Sequence, residues 1–173
     1  MRGDYMRNNP QLLDLLYQNM IEYFSGDPKR IQHFVKVHSF SRVIGHMEKL
    51  TEDELFILEA AAYVHDIGIK PAEEQFGRCD GKLQEELGPK QAEIILKQCG
   101  FSEQQIDRIV YLVGHHHTYT EIDGMDYQIL VEADFLVNLY EDSSSAETVK
   151  HAYKAVFKTK SGTDICRKMF GIE

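Results

Sequence analysis

Residues 51–68, TEDELFILEAAAYVHDIG, contain a complete set of signals for one buried helix. Thr51 followed three residues later by Glu54 is a capping box, in which each side chain accepts a hydrogen bond from the other residue's backbone N–H. Apolar residues then recur at helical spacing, namely Leu55, Leu58, Ala61 and Ala62. Gly68 ends the pattern. The stretch therefore predicts a helix that begins after Thr51 and ends by Gly68.

The rest of the chain has the same helical character. Apolar spacing and caps predict helices over residues 10–24, 28–50, 88–99, 102–117 and 127–140, and two more that begin near Ser145 and Gly162. Residues 69–87 contain Pro71, two glycines and many charges, which predicts a long loop with at most one short helix. No pair of strands with hairpin signals appears. The predicted fold is an all-α, single-domain helical bundle.

Composition excludes several classes of protein. The 173 residues have a formal net charge of −9, and no basic face typical of a nucleic-acid binder is visible. The three cysteines have no CxxC spacing, which argues against a zinc ribbon or a disulfide framework. No apolar run approaches the roughly 18–20 residues of a transmembrane helix. The first ten residues lack the apolar stretch of a secretory signal, so we expect a cytoplasmic protein without membrane partners.

Two acidic positions lie in segments apolar enough to be buried. His65-Asp66 follows the apolar residues 60–64, and Asp134 lies in the apolar residues 129–137. A buried charge is costly unless it is paired or bound to a metal ion. Each aspartate taken alone could instead be a solvated helix end or an ion-paired carboxylate. Together they indicate a polar site between helices.

Histidines supply further candidates. His115, His116 and His117 are consecutive, and on a helix such side chains fan out over about 200°, so one or two of them could face a common site. They could equally form a surface cluster at a helix C-terminus. His33 and His38 lie on one predicted helix but point roughly 140° apart, so they cannot easily bind one ion together. Imidazole and carboxylate ligands from separate helices suit a divalent metal.

The order of these residues resembles the HD superfamily of metal-dependent phosphohydrolases, named for its His-Asp pair. The family pattern is a first His, the pair, and a distant Asp. Here the pair is His65-Asp66 and the last residue is Asp134 in VEAD. His33, in HFVKV, matches the first position better than His38, in HSFSRV, which has one extra residue. The resemblance thus implies His33, His65, Asp66 and Asp134 as metal ligands, with His38 in reserve.

The resemblance also divides the chain and implies its chemistry. Residues 28–140 would form the HD-type metal-binding core, residues 1–27 a polar segment and helix, and residues 141–173 C-terminal helices packed on the core. The implied reaction is hydrolysis of a phosphate ester, on a nucleotide or another small phosphorylated metabolite. Asp66 could orient a water molecule, His116 or His117 could pass protons, and Lys70 could hold a phosphate. The ion could be manganese, iron, nickel, cobalt, zinc or magnesium.

The chain departs from the family pattern at one place. Some members bind a second metal with two further histidines, and His116 or His117 resembles one of them. The other often precedes a Gly-Pro that opens a helix, where this sequence has Glu85, Glu86 and Leu87. Either the site holds one metal or a glutamate substitutes. The predicted loop over residues 119–126 also lacks the Gly-Tyr-Pro element of the cyclic-dinucleotide branch, which disfavours that branch.

Two other classes of function compete with a phosphohydrolase. One is a di-iron oxygenase on an HD-type scaffold, which the missing histidine disfavours. The other is a non-catalytic metal-binding or ligand-binding module. The apolar residues Tyr153, Val156 and Phe157 could pack in the core or at a homodimer interface.

Overall fold

The computed structural model describes residues 8–172, and within them it contains nine α-helices and no strand. The all-α prediction is confirmed. The first seven residues of the polar segment predicted at the start of the chain lie outside the described residues. The helices are α1 (Pro10–Tyr23), α2 (Pro28–Met47), α3 (Glu52–Val64), α4 (Ile69–Phe76), α5 (Gly81–Cys99), α6 (Glu103–Val113), α7 (Met125–Glu141), α8 (Ala146–Ala155) and α9 (Lys160–Phe170).

Local sequence explains where most of these helices begin. Both predicted capping boxes are present, at Thr51 before α3 and at Ser102 before α6. Asp27 caps α2 through the backbone N–H of Arg30, with Pro28 at the first helical position, where its missing N–H costs nothing. The last helix begins two residues earlier than expected, because Thr159 is the capping residue.

The short helix allowed within residues 69–87 is present, but the long loop predicted around it is wrong. Residues 69–76 form α4, and α5 begins at Gly81 because the Asp80 side chain accepts a hydrogen bond from the Leu83 N–H. Gly88-Pro89 therefore lies inside α5, although this dipeptide favours a helix start. A proline in a helix interior costs about 3 kcal/mol. Tertiary packing of α5 against α1, α4 and α6 offsets that cost.

Helix α3 lies at the centre of the bundle. It packs against α1, α2, α6 and α7, and its consecutive alanines Ala60, Ala61 and Ala62 are completely buried. These small side chains cover about 200° of the helix circumference and let neighbouring helices approach α3 closely. The end of α3 is therefore surrounded by the helices that carry the other candidate residues.

Gly68 allows the turn after α3 to lie against α5, and Gly88 allows α5 to lie against α6. A Cβ atom added to Gly68 would come within 2.5 Å of the Gln84 carbonyl oxygen, and one added to Gly88 would come within 2.8 Å of a Val113 methyl group. Real Cβ atoms do not approach other atoms so closely. This contact fixes the position of His65-Asp66 relative to the start of α5.

The C-terminal helices are attached to α7 through Glu132. Its completely buried carboxylate accepts hydrogen bonds from the Lys158 N–H, the Thr159 N–H and the Thr159 hydroxyl. Of the three apolar residues left open by the sequence, Phe157 lies in the core, and Tyr153 and Val156 pack against it. Among the described helices, none is long and apolar enough to cross a membrane.

Candidate metal centre

Helices α2, α3 and α7 bring four of the predicted residues together. His33 Nε2 lies 3.1 Å from Asp134 Oδ1, 3.3 Å from His65 Nε2 and 3.4 Å from Asp66 Oδ2. His65 Nε2 lies 3.5 Å from both Asp66 Oδ2 and Asp134 Oδ1. We call His33, His65, Asp66 and Asp134 the four-residue cluster. Its donor atoms converge from three helices on one small volume.

The two histidines of the cluster are oriented by their other ring nitrogen. His33 Nδ1 lies 2.9 Å from a carboxylate oxygen of Glu141, and His65 Nδ1 lies 2.9 Å from the Ala62 carbonyl oxygen. These acceptors require an N–H on Nδ1, which leaves the lone pair of a neutral ring on Nε2. Metal-binding histidines are commonly held in this way by a carboxylate or a carbonyl.

The two carboxylates of the four-residue cluster carry negative charge, which neutral histidines cannot balance. Burial alone would lower the pKa of His33, but the hydrogen bond to Asp134 and the charges of Asp66 and Asp134 raise that pKa to about 9. Burial would raise the pKa of Asp134, yet the hydrogen bonds and charges of His33 and His65 hold it well below its usual range. The site therefore attracts positive charge.

The donor set fits a divalent metal ion. The Nε2 atoms of His33 and His65 are only 3.3 Å apart, and the lone pairs of the neutral rings would face each other next to two carboxylates. Such an arrangement needs a cation or added protons between the donor atoms. Asp66 is also 20% exposed, so solvent reaches the cluster. A bound ion would satisfy all four side chains at once, whereas neutral packing would leave buried lone pairs facing each other.

A second group of side chains lies on the other side of Asp66. His116 Nε2 is 3.5 Å from Asp66 Oδ1, and His117 lies close to both. The Nδ1–H of His116 donates to the Val113 carbonyl oxygen, so its Nε2 has a lone pair that is buried and without a hydrogen-bond partner among the described residues. We call Asp66, His116 and His117 the second triad. Asp66 thus turns one oxygen to each group.

Comparison with known proteins identifies the family. The HD domain model matches residues 30–163 of the chain. This chain belongs to the HD domain family. It is also similar in structure to a protein described as a predicted HD superfamily hydrolase from an uncultured Thermotogales bacterium, with 22% sequence identity and a TM-score of 0.62. The similarity covers 98% of this chain and 88% of that one. No protein with a curated description matches the chain.

Family membership supports a metal-dependent phosphohydrolase in general terms, and the geometry selects among the candidate histidines. His38 lies away from the HD pair, since its Nε2 contacts Glu59 at 3.2 Å and its ring stacks on Tyr63. His115 stacks on Tyr111 and donates to the carbonyl oxygen of the same residue. Of the three consecutive histidines, only His116 and His117 therefore lie beside Asp66.

Lys70 is not directed at the four-residue cluster. Its ammonium group donates to the Tyr23 carbonyl oxygen at 3.1 Å and lies 5.0 Å from the centre of the Tyr23 ring. Tyr127 on α7 is completely buried, and its hydroxyl contacts the carbonyl oxygens of His115 and Thr118. Tyr127 therefore stabilises the turn that carries the histidines.

Two residues that contact the four-residue cluster were not predicted from the sequence. Glu141 orients His33 and accepts from the Lys36 ammonium group at 2.6 Å. Asn138 donates to Asp134 Oδ1 at 2.9 Å. Both follow Asp134 on α7, by four and seven residues, which is the spacing of one helical face. This spacing in the sequence could have identified both residues as neighbours of Asp134.

An opening leads from solvent to the four-residue cluster. This cavity of about 260 Å³ has His33 and Asp66 in its wall. Lys29 and Arg30 contribute positive charge, and acidic residues contribute negative charge, namely Asp27, Glu141 and Asp142. The cavity therefore gives a small polar molecule access to the donor atoms.

Proposed function

We propose that this protein is a metal-dependent phosphohydrolase that acts on a small phosphorylated metabolite, with a nucleotide as the first class to test. The observation that carries the proposal is the convergence of four donor side chains beside a solvent opening. Membership of the HD domain family supports the same chemistry.

His33, His65, Asp66 and Asp134 would hold the ion, through the Nε2 lone pairs of the histidines and through carboxylate oxygens. When bound, a divalent ion supplies Lewis-acid activation of a phosphoryl oxygen and of a water molecule. Glu141 and the Ala62 carbonyl oxygen position the two rings, so the donors need little rearrangement.

Proton transfer is assigned to the side of Asp66 that faces His116. The Oδ2 atom of Asp66 points to the histidines of the four-residue cluster, which leaves Oδ1 to accept a hydrogen bond from water. The His116 Nε2 lone pair, 3.5 Å from Oδ1, can take a proton from that water. His117 stays neutral near pH 7, because burial and the adjacent His116 lower its pKa to about 4.

Phosphate recognition is assigned to the positively charged wall of the cavity. Arg30 lies one helical turn before His33 on α2 and carries a guanidinium group, which binds phosphate oxygens in pairs. It contacts Asp27 and Glu73 in the structure, and a phosphate would compete with these carboxylates. Lys29 lies beside it. Lys70, the candidate from the sequence, would act here only after leaving Tyr23.

The test is hydrolysis by the metal-loaded protein. Chelated protein is reconstituted with manganese, nickel or cobalt and assayed with p-nitrophenyl phosphate, bis-p-nitrophenyl phosphate and nucleoside monophosphates. Preference for the first or the second substrate separates a phosphomonoesterase from a phosphodiesterase. We expect Asp66→Ala to lower kcat by about 10²- to 10³-fold, the order typical for loss of one electrostatic group in an active site.

Matched controls make the assay decisive. Asp164→Ala removes an exposed aspartate that pairs with Arg167 and Lys168 on α9, and it should retain activity. Circular dichroism should show unchanged helix content in both variants. Activity near the wild-type rate in Asp66→Ala, or in chelated wild-type protein, would refute the proposal. Iron-dependent oxygen consumption without phosphate release would favour the oxygenase class, and failure to bind any metal would favour a non-catalytic module.

A further inference from the structure

Gln84, on the first turn of α5, contacts the second triad. Its side chain is buried, and its Oε1 atom lies 3.0 Å from His117 Nε2. Its amide nitrogen donates to the Cys79 carbonyl oxygen at 2.9 Å. Both ends of the amide therefore have a protein partner.

The contact with Cys79 fixes which end of the amide faces His117. A carbonyl oxygen cannot donate, so the amide nitrogen must point to Cys79 and Oε1 must point to His117. Because Oε1 can only accept, His117 Nε2 must carry the hydrogen atom of this contact. The lone pair of neutral His117 is then on Nδ1, which lies 3.4 Å from the Tyr119 hydroxyl.

This arrangement removes one ligand from the second triad. His117 Nε2 is occupied by Gln84, and its Nδ1 faces a hydroxyl donor. Asp66 Oδ1 and His116 Nε2 then remain as open donors on that side, because the Nδ1 lone pair of His117 accepts from the Tyr119 hydroxyl. Stable protein sites for transition metals use three or more protein ligands. The proximity of the three residues alone would admit an ion, but the hydrogen bonds engage both ring nitrogens of His117.

No glutamate replaces the missing ligand. The Glu85 carboxylate accepts hydrogen bonds from the backbone N–H of His117 at 2.9 Å and from the Thr118 hydroxyl at 3.0 Å. Glu86 is exposed on the outer face of α5. These contacts argue against the alternative left open by the sequence, in which a glutamate before Gly88 is a metal ligand.

We propose that Gln84 is a positioning residue that limits this site to one metal ion per chain, because it holds His117 Nε2 as a hydrogen-bond donor and supplies no imidazole of its own. The inference rests on the four-residue cluster binding the ion in the proposed function. Gln84→His would release His117 Nε2 from this hydrogen bond and add a nitrogen ligand beside His117. The identity of residue 84 would thus decide the number of metal ions.

The experiment counts manganese in the intact protein. Chelated wild type, Gln84→His, Gln98→His and His117→Ala are each reconstituted with manganese, desalted and measured by elemental analysis. Electron paramagnetic resonance then distinguishes isolated from exchange-coupled manganese. Gln98→His is the matched control, since it places the same new side chain at an exposed position of the same helix. Circular dichroism checks that each variant retains its helices.

We expect one ion with an uncoupled signal in wild type, Gln98→His and His117→Ala, and two ions with a coupled signal in Gln84→His. Two ions in wild type, loss of the ion in His117→Ala, or one ion in folded Gln84→His would each overturn the inference. If Gln84→His does not fold, the wild-type and His117→Ala counts still decide. No ion in wild type would instead refute the metal centre, and with it the proposed function.

Discussion

Metal binding to His33 should release a proton, which makes the affinity depend on pH. The carboxylates around His33 raise its pKa from the usual 6.5 to about 9, despite burial that acts in the opposite direction. At pH 7 the metal-free ring therefore carries a proton on Nε2 as well as on Nδ1. A metal ion needs the Nε2 lone pair, so it must displace that proton.

The magnitude follows from this competition. Release of one proton makes the apparent association constant rise about tenfold for each pH unit, or about 1.4 kcal/mol, until pH approaches the pKa of His33. Between pH 6.5 and 8.5 we expect an increase of about 100-fold. The pKa of His65 is also raised, mainly by the charge of Asp66 and the hydrogen bond to Asp134, which outweigh burial. Any proton on that ring adds to the slope.

Isothermal titration calorimetry with manganese measures both quantities. Titrations at three pH values in two buffers of different ionisation enthalpy give the affinity and the number of protons released. Glu141→Gln removes a negative charge beside His33 Nδ1, so it should lower the pKa of His33 and the proton release at pH 8. Glu147→Gln, an exposed acid at the start of α8, is the control. A pH-independent affinity with no proton release would refute the reasoning.

The pKa shifts in the four-residue cluster also make the stability of the metal-free protein depend on pH. A raised histidine pKa stabilises the fold fully below pH 6.5, and this contribution is lost as pH rises through about 9. For His33 the loss is about 3 kcal/mol. The lowered pKa of Asp134 acts oppositely: its contribution is present above the usual carboxyl range and is lost as pH falls. Chelated protein should therefore lose stability on both sides of neutral pH in urea unfolding.

Three further predictions concern single substitutions. Glu132→Ala should lower the free energy of unfolding by about 3 kcal/mol, measured in urea, because it strands buried donors at the start of α9. Gly68→Ala should cost about 2 kcal/mol, since its Cβ would meet the Gln84 carbonyl oxygen at 2.5 Å. Arg30→Ala should raise KM for the phosphate ester about tenfold at nearly unchanged kcat, whereas Lys70→Ala should change KM less than twofold; equal effects of the two would contradict the assignment.

The helices could be predicted from sequence where local and tertiary signals agree. Capping boxes at Thr51 and Ser102 mark helix starts because their hydrogen bonds are local. Gly88-Pro89 misled the prediction because its local preference for a helix start is overridden by the cap at Asp80 and by packing of α5. The close approach of Gly68 to α5 involves residues far apart in sequence, and no local pattern encodes it.

The donor residues of the candidate site could also be chosen from sequence, but their partners could not. Asp66 and Asp134 are conspicuous because they interrupt apolar segments. Glu141 and Gln84 lie in ordinary polar positions, and only the packing of α2 on α7 and of α5 on the turn after α6 brings them to His33 and His117. Their roles depend on which ring nitrogen they touch, which sequence does not specify.

Helix termination explains why His65 and His116 point at the same carboxylate. Each histidine lies just beyond its helix and donates its Nδ1–H to the carbonyl oxygen three residues earlier, Ala62 or Val113. The last turn of a helix leaves its carbonyl groups without intrahelical donors, so these oxygens are free to hold a ring. Within a continuous helix the same carbonyls would be occupied and the rings would turn outward along the surface. The ends of α3 and α6 are therefore part of the site, because ending there directs both Nε2 lone pairs at Asp66.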